Sequence, residues 1–170
     1  MTDMNGKPRI LVVMGVSGTG KSTVAQALHQ RLGWEFQEGD ELHPAANVAK
    51  MSAGIPLDDD DRAPWLAICA RWIAAHHAAG QPGILTCSAL KRSYRETLSQ
   101  GFDDVWFVYL DVPEAVIKDR LDRRSHHYMP SSLLPTQLRT LERPGEDEQV
   151  ITVVAQGDIE QTIRSVLDAL

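Results

Sequence analysis

Ile10-Leu11-Val12-Val13-Met14-Gly15-Val16-Ser17-Gly18-Thr19-Gly20-Lys21-Ser22 opens as an unbroken apolar run and then turns to glycine. The run Ile10 to Met14 reads as a strand buried on both faces, the kind found inside a parallel sheet. Beyond the glycines, Val24, Leu28 and Leu32 recur every four residues and mark an amphipathic helix, which Gly33 stops. Gly15 to Ser22 fulfils G-x-x-x-x-G-K-[ST] between that strand and that helix. Glycines let such a loop curl until its backbone N–H groups converge on phosphate oxygens. The helix start adds the positive end of a dipole. Lys21 is expected to reach the β- and γ-phosphates and Ser22 to offer a hydroxyl to magnesium, so Gly15, Val16, Ser17, Gly18, Thr19, Gly20, Lys21, Ser22 and Thr23 are the expected ATP-binding residues. The alternative, a chance glycine-rich turn, would not need the strand and the helix to flank it.

Outward from this stretch, strands and helices alternate. Trp34-Glu35-Phe36 starts a second strand that ends near Gly39-Asp40. Ile84 to Cys87, Val105 to Leu110 and Val150 to Val154 follow as the third, fourth and fifth. A helix is expected with Pro44 as its first residue. Trp65, Ile68, Cys69, Trp72 and Ile73 share one face of another, with both tryptophans in the core. Further helices are expected near 91–99, 113–123, 131–142 and 158–169. This alternation predicts an α/β fold, a parallel sheet covered by helices on both faces. Its 170 residues suit one domain, expected over 1–170. Arg124 to Pro130 is the least regular stretch and is predicted to be a mobile loop.

In an open α/β sheet, ligands lie beyond the carboxyl ends of the strands. The residues there are Asp40, Glu41 and His43 after the second strand, Ser88, Lys91, Arg92 and Arg95 after the third, and Arg120, Arg123 and Arg124 one helix after the fourth. Asp40 is the candidate to orient or deprotonate an acceptor hydroxyl, or to hold magnesium through water. Arg62 can pair bidentately with a substrate carboxylate. Asp58 to Asp60 read as a helix N-terminus or a solvated face, and His76 and His77 as exposed.

With 17 basic and 23 acidic residues the net charge is −6. An acidic chain makes nucleic acid an unsuitable partner, so a local basic cluster would serve a small anion. The apolar run at Ile10 is too short for a membrane span, and no export signal is evident; with only Cys69 and Cys87 as thiols, a cytoplasmic location is expected.

Several further blocks are much more specific than the phosphate loop. They are Gly39-Asp40-Glu41-Leu42-His43-Pro44 with Asn47, Lys50-Met51, Gly54 and Pro56-Leu57, then Asp59-Asp60-Asp61-Arg62-Ala63-Pro64-Trp65-Leu66. Cys87-Ser88-Ala89-Leu90-Lys91 with Tyr94-Arg95 follows, then His127-Tyr128-Met129 with Gln137 and Leu141-Glu142. In order and spacing, from Met14 to about Pro144, they resemble the gluconokinases. The resemblance implies ATP- and magnesium-dependent phosphorylation of D-gluconate on its 6-hydroxyl. It implies a fold like shikimate and nucleoside monophosphate kinases, with a five-stranded parallel sheet, a helical substrate-binding segment near 41–80 and a lid near 120–142. Homodimers are usual in the family. On this reading Lys21, Asp40, Arg120 and Arg124 are catalytic, and Arg124 also closes over ATP. Asp40, His43, Arg62, Ser88, Lys91, Arg95 and His127 grip the substrate, and Ser22 and Asp40 serve the metal. The adenine contacts fall near 155–158.

Two other readings remain at this point. One is a kinase of another small hydroxy acid, such as shikimate. The other is a nucleotide-dependent switch without turnover, although the chain has no guanine-reading Asn-Lys-x-Asp motif.

Overall fold

The computed structural model describes residues 8–123, 134–155 and 158–170. Arg124, His126, His127 and part of the expected lid therefore lie outside the described residues. Five strands form one parallel sheet: β1 (Ile10–Met14), β2 (Glu35–Glu38), β3 (Gly83–Thr86), β4 (Val105–Asp111) and β5 (Val150–Val154). Their order is β2-β3-β1-β4-β5. Among the described residues, seven α-helices surround it: α1 (Lys21–Leu32), α2 (Ala45–Ser52), α3 (Asp59–Ala79), α4 (Arg92–Ser99), α5 (Glu114–Asp122), α6 (Leu134–Thr140) and α7 (Ile159–Ala169). Pro44 precedes α2 instead of opening it. No helix among the described residues is long and apolar enough to cross a membrane.

The central strand explains the layering. All five residues of β1 are buried, and alternation sends them to opposite faces. Leu11 and Val13 pack with Val24 and Leu28 of α1 and with Ile163 and Val166 of α7. Ile10, Val12 and Met14 pack with Trp65, Cys69 and Ile73 of α3 and with Leu98 of α4. In-register pairing of β1 with β3 and β4 aligns all three carboxyl ends at one edge.

Helix α3 starts on the acidic run. Asp58 caps it by accepting from the Asp61 N–H at 2.8 Å, and the Asp61 carboxylate accepts from the Asp58 N–H at 3.0 Å. This reciprocal box satisfies two otherwise orphaned donors and sets acids at the positive end of the dipole. The expectation for His76 was wrong. It is buried where α3 crosses β3, with its ring centroid 3.8 Å from that of Trp72 and its Nε2 2.7 Å from the Glu35 carboxylate.

The turn after β2 is the tightest point in the fold. Gly39 to Leu42 form one 3₁₀ turn, which carries Asp40. A Cβ on Gly39 would lie 1.8 Å from the carbonyl oxygen of Thr86, which rules out any side chain there. Gly39 also donates its N–H to Thr86 Oγ1 at 3.0 Å and accepts from the Trp65 indole N–H at 2.8 Å. Gly39→Ala is expected to lower unfolding free energy by about 3 kcal/mol, the upper range of overpacking costs. Urea denaturation will measure this, and a loss below about 1 kcal/mol would show that β2 and β3 can separate cheaply.

Candidate active site

The phosphate loop runs from β1 into α1 with Gly15, Gly18 and Gly20 at φ of 144°, 84° and 92°. Side chains rarely adopt these values. At Gly18 a Cβ would also come within 3.0 Å of Ile117 and Leu121 of α5, so the loop and that helix touch directly. Lys21 arches back over the loop and donates to the Gly15 and Val16 carbonyls, both at 3.0 Å. Ser22 donates to the Glu38 carboxylate at 2.8 Å. The same carboxylate oxygen accepts from Thr86 Oγ1 at 2.5 Å. Glu38 thus ties β2, β3 and α1 together at the phosphate cradle, where Ser17, Gly18, Gly20, Lys21, Ser22, Glu38 and Asp40 meet.

A second, more apolar cavity opens beside the cradle. Ser17, Lys21 and Asp40 line both. The second is completed by His43, Met51, Leu57, Arg62, Trp65, Ser88 and Gln137, among others. Substrate-sized groups entering here would meet the phosphate loop at Asp40.

His43 forms the floor of this cavity. Its ring stacks on Trp65 with centroids 4.0 Å apart and an interplanar angle of 16°. The Asn47 amide nitrogen donates to the Asp61 carbonyl at 2.8 Å, which fixes the amide's orientation. The same nitrogen lies 3.2 Å from His43 Nδ1, so Nδ1 accepts and the ring proton sits on Nε2. Nε2 is 3.9 Å from the Asp40 carboxylate, beyond hydrogen-bond length. Burial lowers the His43 pKa from 6.5 to about 4; Asp40 opposes this and Arg62 reinforces it. The ring is therefore neutral at neutral pH.

Arg62 reaches the cavity from the first turns of α3. Its Nη1 donates to the Tyr94 hydroxyl at 3.1 Å, and Tyr94 in turn donates to Asp59. Lys91 donates to Asp59 at 2.9 Å. The lysine is thus held behind Arg62, not among the cavity-lining residues. Its ammonium and the Arg62 guanidinium lie 5.5 and 5.6 Å from the Tyr94 ring centre. Tyr94 and Asp59 organise this cation pair, a role the sequence reading did not give them.

Arg95 overturns its expected role. Its side chain is 2% exposed and bonds the Glu148 carboxylate at 2.6 Å and the Ala89 carbonyl at 2.8 Å, away from the cavity. Burial works against the Glu148 carboxylate, yet the Arg95 bonds and the Gly145 N–H hold its pKa below the usual value. Removing one partner of such a pair strands a buried charge, at a cost of about 3–5 kcal/mol. Arg95 is a structural residue that joins α4 to the segment before β5.

Arg120 lies on the other side of the loop. Its Nη1 donates to the Gly18 carbonyl at 3.4 Å. With Arg123, Thr19, Gly20, Thr23, Val24, Ala155, Ile159 and Thr162 it lines a cavity of about 390 Å³. That falls within the roughly 300–1,000 Å³ of small-molecule sites. Of the stretch expected to meet adenine, Ala155 and Asp158 are described, and Ala155 lines this cavity. Among the described residues, no three His, Cys, Asp or Glu side chains could hold a metal by themselves.

The comparisons with known proteins agree with this fold. A family model described as an AAA domain matches residues 10–144. A gluconokinase of Gluconobacter oxydans is 61% identical over 152 residues, 89% of this chain and 85% of that one. The chain belongs to the gluconokinase family. Among solved structures, a gluconokinase from Sinorhizobium meliloti superposes with a TM-score of 0.85 at 45% identity, covering 95% of this chain and 90% of that one. A sugar kinase from Janibacter gives a TM-score of 0.87 at 47% identity over 95% and 93% of the two chains. Gluconokinase family membership makes the chain an ATP-binding phosphotransferase with the expected α/β fold.

Of the residues the sequence reading passed over, Glu38 was the most accessible to it. Glu38 and Asp40 flank Gly39 at a strand end, a spacing that puts two acids at one edge. Gln137 and Tyr94 stood in the family-like blocks without a role.

The buried, neutral imidazole sets a pH dependence. His43 has a depressed pKa in the folded state, so its contribution to stability is complete above 6.5 and is lost as pH falls towards 4. The stability difference between wild type and His43→Gln should therefore narrow between pH 7 and pH 4.5, as read by thermal melts. A constant difference across that range would mean that His43 titrates alike in the folded and unfolded chain.

Proposed function

We propose that the chain transfers the γ-phosphoryl group of ATP to the 6-hydroxyl of D-gluconate, giving 6-phospho-D-gluconate and ADP. The observation that carries this reading is the shared wall: Ser17, Lys21 and Asp40 border both the phosphate cradle and the cavity containing Arg62. A nucleophile held there lies directly against the group to be moved. Phosphoryl transfer depends mainly on such positioning and on charge stabilisation.

The roles follow from chemistry and place. Lys21 and the loop amides hold the β- and γ-phosphates. Asp40 orients the acceptor hydroxyl and accepts its proton, with the neutral His43 beside it as a donor to the polyol through Nε2. Arg62, steadied by Tyr94, takes the carboxylate, and Ser88 adds a hydroxyl to the wall. Lys91 acts through Asp59. Arg120 approaches the phosphates from the α5 side, and Arg124 and His127 are proposed for ATP and gluconate on the family resemblance alone. The oxygen donors Ser22, Glu38 and Asp40 suit magnesium, a hard cation that keeps several waters and bridges carboxylates to phosphates. Bound there, magnesium would neutralise phosphate charge. The buried free thiols of Cys69 and Cys87 suit a reducing cytoplasm. A homodimer is proposed from the family resemblance.

The test is ADP release with and without gluconate, with Asp40→Asn alongside. That variant should retain ATP binding and lose about 10²–10⁴-fold in kcat. Wild-type turnover in it would remove Asp40 from the reaction.

The Arg62 assignment makes a second, separable prediction. Glucose offers the same hydroxyl but no carboxylate, and would leave the guanidinium unpaired. kcat/KM for glucose should fall roughly 10³-fold below that for gluconate, and the gap should shrink in Arg62→Ala. Equal values in the wild type would refute carboxylate recognition.

A further inference from the structure

Ser17 stands where the two cavities meet, and its backbone N–H and hydroxyl both face one side chain. Its backbone N–H donates to Gln137 Oε1 at 2.7 Å, and its hydroxyl accepts from Gln137 Nε2 at 3.1 Å. The partners are 120 residues apart in sequence and both are buried. Gln137 comes from α6 and forms the acceptor cavity's wall together with Thr136. Two bonds of opposite polarity fix the carboxamide's orientation.

The chemistry of the contact restricts the residue. A cationic side chain could not accept from the Ser17 N–H. A carboxylate could accept from both the N–H and the hydroxyl of Ser17, but it would set a negative charge against a triphosphate. Asparagine is one methylene shorter. A glutamine supplies both bonds without charge.

We propose that Gln137 is a positioning residue: by clamping Ser17 it holds the acceptor-side edge of the phosphate loop and walls off water, so that transfer to the substrate hydroxyl outruns hydrolysis. The inference rests on the kinase reading above. Gluconate and water compete for the same phosphoryl group, and an attacking oxygen displaced by about 1 Å can lose about 10²-fold in rate. A rigid loop edge favours the nucleophile whose place the cavity fixes, and water has no such place.

Gln137→Met tests this, since it preserves length and approximate volume while deleting both bonds. Two rates are measured on the purified, full-length chain: gluconate phosphorylation, and ADP release from ATP without gluconate. The expected result is a fall in kcat for gluconate of about 10²-fold, KM for ATP within about threefold of wild type, and a ratio of hydrolysis to transfer raised at least about tenfold. Ser17→Ala removes only the hydroxyl half of the clamp and should give a smaller shift in the same ratio. Within that background Gln137→Met should cost less than it does alone. Should Gln137→Met fail to fold, the ratio in Ser17→Ala decides. The proposal is overturned if the ratio is unchanged, whether both rates fall together, as a purely structural loss would cause, or neither falls. A wild-type chain whose ADP release ignores gluconate would instead refute the kinase reading, which separates the two failures.

Discussion

The Thr86 carbonyl pressed against Gly39 is the constraint on which the site depends. Because no Cβ fits between them, the end of β2 lies directly on the end of β3. The turn that follows then has one course, with its N–H on the Thr86 hydroxyl and its carbonyl under the Trp65 indole. Asp40 is the next residue. Its place against the phosphate loop is thus set by the contacts that the Gly39 backbone makes in the core. Glu38, one residue before, closes the arrangement by holding Ser22 and Thr86 on a single carboxylate oxygen.

Charge is organised around this corner despite a net of −6. The acids of the α3 start are used locally. Asp58 caps the helix, Asp59 takes Lys91 and Tyr94, and Asp61 takes Lys50 at 2.8 Å. Lys50 and Lys91 are thereby matched outside the cavity, whereas Arg62 bonds a neutral hydroxyl and lines the cavity wall. A guanidinium whose nearest partner is uncharged keeps its attraction for an incoming anion.

The fold was legible because its signals are local. Four apolar runs, a glycine-rich loop and regular helical spacing each act within a few residues. The site was legible where a strand end or a motif announced it, as at Asp40 and Lys21. Arg62 and Arg95 show the limit. Both are arginines near the expected cleft, and only the depth of Glu148 beside Arg95 separates a wall residue from a structural one. That partner lies 53 residues later, in a segment without a pattern of its own. His76 differs from expectation for a related reason: its ring lies between Trp72 of its own helix and the strands beneath, where Glu35 meets its Nε2. Gln137 had no sequence signal of function beyond its place in a family-like block, since its partner lies in the loop 120 residues earlier in the chain.

The stack of His43 on Trp65 has an optical consequence. The protein has four tryptophans, and this one lies in van der Waals contact with a ring that lines the acceptor cavity. A polyol held by His43 as proposed would change the surroundings of the stacked indole and so its emission. The chain thus carries an intrinsic fluorophore at the floor of its cavity, one that can report acceptor occupancy with no label and no turnover.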